Sequence, residues 1–191
     1  DTSAVRSRTV TVGTFDGVHR GHRDILRCVA QRAAVIGVPG LLVTFRPHPL
    51  EVVNPSAAPM LLTPGEEQLD ALADSGPLLV SVLPFTPSLA SYSAEAFVSE
   101  ILVKRYRVRT LVVGHDHGLG RGRQGDAETL RAIGEKRGFD VEIVRPTLGE
   151  HGVPISSSAV RTSIAHGDLE HARVALGRPY SFRGTVVTGD G

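Results

Sequence analysis

The chain has 191 residues, 41% of them hydrophobic, and a formal net charge of +1. That length suits one large domain with a sizeable core, and the near-neutral balance gives no global field toward nucleic acid or an anionic membrane. No apolar stretch approaches the roughly 20 residues that span a bilayer, the first residues do not read as a signal peptide, and the single cysteine, Cys28, excludes an intrachain disulfide. A cytoplasmic location fits these features.

Strand-like and helical patterns alternate along the chain. A first strand-like run covers 9–12. A glycine-rich turn then leads into a helix over 21–36, with Ile25, Leu26, Val29, Ala30 and Ala33 at helical spacing. Cys28 falls inside that helix and reads as a small packing residue. A second strand covers 41–45. After a short Pro- and Ala-rich loop at 54–59 comes a helix over 64–74, with Pro64 early, Glu66 and Glu67 in the first turn, and Leu69, Leu72 and Ala73 inward. The third strand is 78–83. Ser93 then reads as the N-cap of a helix that runs through Phe97, Val98, Ile101 and Leu102. A fourth strand at 110–113 precedes a helix that starts near Asp126, uses Leu130 and Ile133, and stops by Gly138. A fifth strand covers 141–144. A late extended run at 153–156 precedes two short helices, one over 157–166 and one capped by Asp168 and followed by Gly177. The run 182–188 is strand-like again and ends in the turn residues Gly189, Asp190 and Gly191. A strand needs a sheet, so a further domain is expected to begin near residue 180.

Strands separated by helices imply βαβ units, a parallel sheet and right-handed crossovers, a Rossmann-like α/β fold. Ligands of such sheets bind at the carboxyl ends of the strands, near a topological switch point. Four motifs are expected to converge there.

The first is Gly13-Thr14-Phe15-Asp16-Gly17-Val18-His19-Arg20-Gly21-His22. Glycines allow a tight backbone, and a helix N-terminus offers unpaired N–H groups to an anion. His19 and His22, three apart, would face that anion. They could instead be surface or core histidines, or a metal pair, although no nearby sequence supplies a clear third ligand. The second motif is Ile155-Ser156-Ser157-Ser158-Ala159-Val160-Arg161. One serine suffices for a cap; three, with an arginine a turn later, suit a second phosphate grip. The third runs from Val113 to Asp126, with five glycines, two arginines and Asp116 just past a strand. It reads as a mobile loop that could gate a ligand, or simply as a flexible connection. The fourth is Thr44-Phe45-Arg46-Pro47-His48-Pro49, whose prolines fix the backbone around a histidine.

These motifs resemble a known family. His19-Arg20-Gly21-His22 has the HxGH form of the nucleotidylyltransferase superfamily. The longer G-x-F-D-G-V-H-x-G-H form is most similar to the adenylyltransferase (FAD synthetase) domain of bacterial bifunctional riboflavin kinase/FMN adenylyltransferase. The segment from Ile155 to Arg161 resembles the superfamily's I-S-S-T/S-x-x-R signature, with Ser158 where Thr is commoner. The third motif resembles G-x-D-F-x-F-G, with His117 and Leu119 in place of the usual aromatics. The T-F-x-P-H-P form of the fourth is similar to a segment beside the family's site.

The resemblance implies a reaction of ATP with FMN giving FAD and pyrophosphate, with Mg²⁺ bridging phosphates. It implies catalytic roles for His19, His22 and Arg161, with His22 near the α/β-phosphates and His19 nearer the β/γ end. Gly13, Phe15, Asp16, Gly21, Asp116, Ser156, Ser157 and Ser158 would bind the nucleotide, and Pro47, His48 and Pro49 would lie on the acceptor side. No direct metal ligand is assigned. Leu61, Leu62 and Phe85 are guesses for an apolar flavin pocket. Leu176-Gly177-Arg178-Pro179-Tyr180 resembles the family's domain junction. The implied organisation is therefore an adenylyltransferase domain over 1–178 and the start of a covalently linked riboflavin kinase-like β domain over 179–191. Kinase activity is not expected from this chain, whose partners would be ATP and FMN, with neither nucleic acid nor membrane. Another phosphorylated acceptor (phosphopantetheine, glycerol phosphate or nicotinate mononucleotide) and a non-catalytic nucleotide- or flavin-binding module are the alternatives.

Overall fold

The strand-like runs become five strands: β1 (Arg8–Val12), β2 (Gly40–Arg46), β3 (Leu79–Pro84), β4 (Val108–Gly114) and β5 (Asp140–Val144). The computed structural model describes residues 7–76 and 78–189, His151 by its backbone alone. All neighbouring strands pair in parallel, in the order β3-β2-β1-β4-β5. The residues of β1 and β2 are buried almost throughout, as in a parallel sheet covered on both faces. Val10, Val12, Leu41, Val43, Leu111 and Val113 pack on one face against Phe97, Val98, Leu102, Leu130 and Ile133. On the other face Leu42 meets Leu26, Ala71 and Leu72. From β1 the chain moves outward through β2 to β3, then returns to β4 on the opposite side of β1. The crevice between the ends of β1 and β4 is therefore the switch point.

The helices follow their caps. Helix α1 (Arg20–Ile36) is capped by His19 and closed by Gly37 in the left-handed region. The short helices α2 (Pro49–Val53) and α4 (Pro87–Ala90) are too brief for a periodic pattern to announce them. Between them, α3 (Glu66–Ala73) fills the expected 64–74 span. Ser93 caps α5 (Ala94–Phe97), which continues as a π-helical stretch, Val98–Arg105. Asp126 and Gly138 bracket α6 (Ala127–Arg137). Ser156 caps α7 (Ser157–Ala165), and Asp168 caps α8 (Leu169–Leu176). This last pair shares its own small core of Val160, Ala172, Ala175 and Leu176 with Leu62. Cys28 does more than pack: its thiol donates to Glu142 Oε1 at 3.1 Å.

Two strand expectations need correction. The late run 153–156 forms only an isolated bridge, Leu148 to Pro154, because it folds back on 147–149 instead of joining the sheet. The C-terminal run 182–188 has no regular structure, since among the described residues no strand lies beside it to take its backbone hydrogen bonds. Asp190 and Gly191 lie outside the described residues. Among the described residues, no helix is long and apolar enough to cross a membrane.

The close approach of α6 to β5 gives a test. A Cβ on Gly134 would lie 2.7 Å from the backbone oxygen of Phe139. Alanine is the better helix former by about 1 kcal/mol, but a backbone oxygen cannot step aside cheaply. Gly134→Ala is expected to lower the unfolding free energy by about 1–3 kcal/mol in a urea titration. Unchanged or raised stability would show that the turn yields.

Candidate active site

The loop after β1 turns sharply. Phe15, Gly17 and Val18 have φ of 50, 80 and 41°, a region that suits the glycine but strains the other two. A Cβ on Gly17 would also meet the Leu62 side chain at 2.6 Å. Such a corner persists only if its surroundings fix it. Gly17 N–H donates to Thr63 Oγ1 at 2.9 Å, and the backbone oxygen of Asp16 accepts from Ser157 Oγ at 2.9 Å. The Asp16 carboxylate, nearly wholly buried, accepts the N–H groups of Leu62 and Thr63 at 2.9–3.0 Å and pairs with Arg161 Nη2 at 2.6 Å.

The corner delivers His19 to the start of α1. Its Nδ1 accepts the backbone N–H of His22 at 3.3 Å, which places the proton of the neutral ring on Nε2. The two imidazoles stack, centroids 3.6 Å apart, with Phe15 tilted against His22 at 4.9 Å. Burial pushes the His19 pKa down to about 4, against the pull of Asp16 and Asp116. Burial and then His19 hold His22 well below the ordinary value. Both rings are neutral donors at neutral pH.

They border a cleft of about 330 Å³ at the ends of β1, β4 and β5, which also includes Phe15, Gly21, Asp116, Ser156, Ser157 and Ser158. Ser156 Oγ caps α7, accepting from Ala159 N–H at 3.2 Å. Asp116 is exposed, with its Oδ1 3.9 Å from His115 Nδ1. The loop beyond it is tied down rather than loose. Arg123 Nη2 donates to the Asp116 carbonyl at 2.7 Å, Leu119 and Gly125 exchange backbone bonds, and Arg121 N–H donates to Tyr92 O at 2.8 Å. His117 takes a place in the cleft wall, its pKa lowered to about 4 by burial and then by Arg123.

A second hollow of about 220 Å³ is bordered by Thr14, Asp16, Phe45, Pro47, His48 and Leu61, with other residues around it. The Arg46–Pro47 bond is cis. His48 caps α2, its Nδ1 accepting from Leu50 N–H at 3.2 Å while its own N–H donates to Glu51 Oε1 at 3.0 Å. Burial lowers its pKa. Arg161 borders neither cavity; it sits on Asp16 and on the Met60 carbonyl, 2.8 Å from its Nε. Gly13 and Pro49 also border neither cavity. Of the guessed flavin residues, Leu61 reaches the second hollow, Leu62 is core, and Phe85 packs edge-on against Phe45.

Sequence reasoning missed the β5 side of the first cleft, Val144, Arg145, Pro146 and Thr147. It also missed Thr63, whose role depends on a contact 46 residues away. Only the position of Arg145 just past a strand could have signalled it.

A glycine-rich turn, a helix start and two histidines meet at the switch point, and the comparisons agree with the family resemblance. The family model described as FAD synthetase matches residues 1–159. The chain belongs to the FAD synthetase family. It is 40% identical to the bifunctional riboflavin kinase/FMN adenylyltransferase of Escherichia coli K12, over 95% of this chain and 58% of the relative. It is 39% identical to that of Pseudomonas fluorescens, over 96% and 58%. The chain thus spans less than two thirds of these relatives. A Streptococcus pneumoniae structure described as a macrolide-efflux protein superposes with a TM-score of 0.83 at 28% identity, covering 100% of this chain and 62% of that one. Pantoate-beta-alanine ligase from Francisella tularensis shares the fold, with a TM-score of 0.57 at 12% identity, over 86% of this chain and 69% of its own.

Two outcomes are expected from this FAD synthetase-family site. Asp16→Asn leaves Arg161 without its counter-charge, and unfolding in urea should show a loss of about 3 kcal/mol; a loss near zero would mean that the pair is solvated. The buried histidines give a pH dependence. Their folded pKa values lie below the unfolded one, so the unfolded chain binds more protons in mild acid and stability falls as pH drops from about 7 to about 4. His117→Phe should shrink that fall, and an identical pH profile would show that the ring titrates normally in the fold.

Proposed function

We propose that this chain is an FMN adenylyltransferase unit, ATP + FMN giving FAD + pyrophosphate. The stacked, neutral His19–His22 pair at the N-terminus of α1, facing the serines of α7 across one cleft, carries the reading. The relatives named above are described as having this activity together with a riboflavin kinase. On this reading residues 1–178 form the adenylyltransferase unit and 179–191 lead toward a linked kinase-like β domain, in a cytoplasmic enzyme.

ATP would lie in the first cleft with its phosphates at the start of α1. There, among the described residues, the N–H groups of Arg20 and Gly21 have no intrachain acceptor. FMN would enter from the second hollow, beside Phe45, Pro47 and His48, with Pro49 holding the segment's backbone. An FMN phosphate oxygen attacks the α-phosphorus in line; that P–O bond forms as the bond to the β-phosphate oxygen breaks, and pyrophosphate leaves. The nucleophile arrives ionised, so no general base is needed. His22 and the Nε2–H of His19 would donate to the α-phosphate and the departing oxygens, where preorganised donors contribute most. Ser156, Ser157 and Ser158 would line the β/γ side. Asp16 would act through Arg161, whose guanidinium has donors beyond those taken by Asp16 and Met60. Asp116 would contact the nucleotide from the end of β4.

Among the described residues, no group of three or more His, Cys, Asp or Glu side chains could hold a metal. A Mg²⁺ ion arriving with the nucleotide would be held by the nucleotide's phosphate oxygens and water, and would supply charge neutralisation.

The test is pyrophosphate release from ATP and Mg²⁺ with and without FMN. FMN-dependent release with FAD formed is expected. Release only with another phosphorylated acceptor would replace FMN in this reading, and ATP binding without release would make the chain a binding module. His22→Ala should lower kcat about 100- to 1000-fold with little change in ATP affinity; an unchanged kcat would remove His22 from the transition state.

A further inference from the structure

Residues 16–18 are buried, so each of their backbone polar groups needs a partner. The Asp16 carbonyl has Ser157, the Gly17 N–H has Thr63, and the Val18 N–H has the Phe15 carbonyl at 3.2 Å. The Asp16 N–H has no intrachain acceptor among the described residues, which leaves the two carbonyls of Gly17 and Val18. Both are taken by one side chain from the far end of the chain: Arg178 Nη2 donates to Gly17 O at 3.0 Å and Nη1 to Val18 O at 3.3 Å. Among the described residues it is their only hydrogen-bond partner.

We propose that Arg178 is a positioning residue for nucleotidyl transfer, acting as a fork that holds the left-handed corner before His19 and so sets the imidazole pair. The corner is where such a hold matters. Val18, with φ 41°, can relax toward an ordinary conformation once its carbonyl loses its partner, and the next residue is the catalytic N-cap. A planar guanidinium suits the task because it addresses the two adjacent carbonyls from two separate nitrogens held in a fixed fork, whereas an ammonium would have to serve both from a single nitrogen. The placement opposes the cation's own solvation. Burial and the neighbouring Arg23 cation weigh against the charge, with Asp74 in its favour. Arg178 follows α8 directly, and two residues later Tyr180 packs on the small core of α7 and α8. Arg183, a little further on, pairs with Asp70 on α3 at 2.6 Å. The segment leaving α8 is thus fastened both to the phosphate loop and to the flank of the sheet. The inference rests on the adenylyltransferase reading for its kinetic consequence, though not for its geometry.

The experiment compares the unsubstituted chain with Arg178→Ala and Arg178→Lys in FAD formation, and follows the His19 and His22 ring resonances by NMR. Arg178→Ala should lose about 100-fold in kcat, as expected for reacting groups displaced by about 1 Å, with a much smaller change in KM for FMN. Arg178→Lys should recover only part of the loss. Millimolar guanidinium chloride should restore activity to Arg178→Ala and not to His22→Ala. A full kcat in Arg178→Ala, or a loss that guanidinium does not relieve in a chain still folded by circular dichroism, would overturn the proposal. If the unsubstituted chain forms no FAD, the activity reading fails by itself. The ring resonances then decide the loop question: a shift in Arg178→Ala supports the fork, and unchanged resonances overturn it.

Discussion

A carboxylate nearly removed from water, as Asp16 is, keeps its charge only if protein donors replace the solvent. Here they come from three directions: the N–H groups of Leu62 and Thr63, the Thr63 hydroxyl at 3.4 Å, and the Arg161 guanidinium. None of these is local in sequence. Satisfying one charge therefore draws the 62–63 segment, α7 and the loop after β1 to a single point. The small core beneath α7 and α8, with Leu62 at its edge, then has a fixed position relative to the sheet. Arg161 on α7 meets this charge, and Ser157 at the start of the same helix donates to the Asp16 backbone oxygen, so α7 is fixed to the loop twice.

The imidazole pair follows from this frame. With centroids 3.6 Å apart, two protonated rings would repel by about 4–5 kcal/mol even at an effective dielectric of about 20. Burial already disfavours each charge. The pair therefore rests neutral, as fixed dipoles. A polyanion at the start of α1 would favour the charged form of at most one ring. Catalysis of this kind depends on where the donors point more than on what they titrate. That is why a strained and heavily braced loop is worth keeping beside them.

Asp16 also links the two cavities. Asp16 borders the second hollow, while its backbone oxygen receives Ser157, a residue of the first. His48, at the mouth of α2, is held by its capping bonds instead of being free to swing, so this edge of the second hollow is braced as well.

What the sequence made legible divides along physical lines. Alternating strand and helix periods gave the sheet within a residue or two of its observed ends. Cap residues such as Ser93, Asp126, Ser156 and Asp168 marked the helices they start, because a cap is a local interaction. The glycine-rich loop with its two histidines was legible for the same reason: strand, turn and helix N-terminus are contiguous. Thr63 and Arg178 were not. Thr63 reaches the loop across 46 residues and Arg178 across 160 or more, and neither has a neighbour that announces the contact. The run 182–188 failed in the opposite sense. Its residues fit a strand, but a strand is a property of a pair, and one member of a pair cannot specify the other. Local chemistry thus marked the groups proposed to act on a substrate, whereas the groups that hold them still emerged only once the chain had closed.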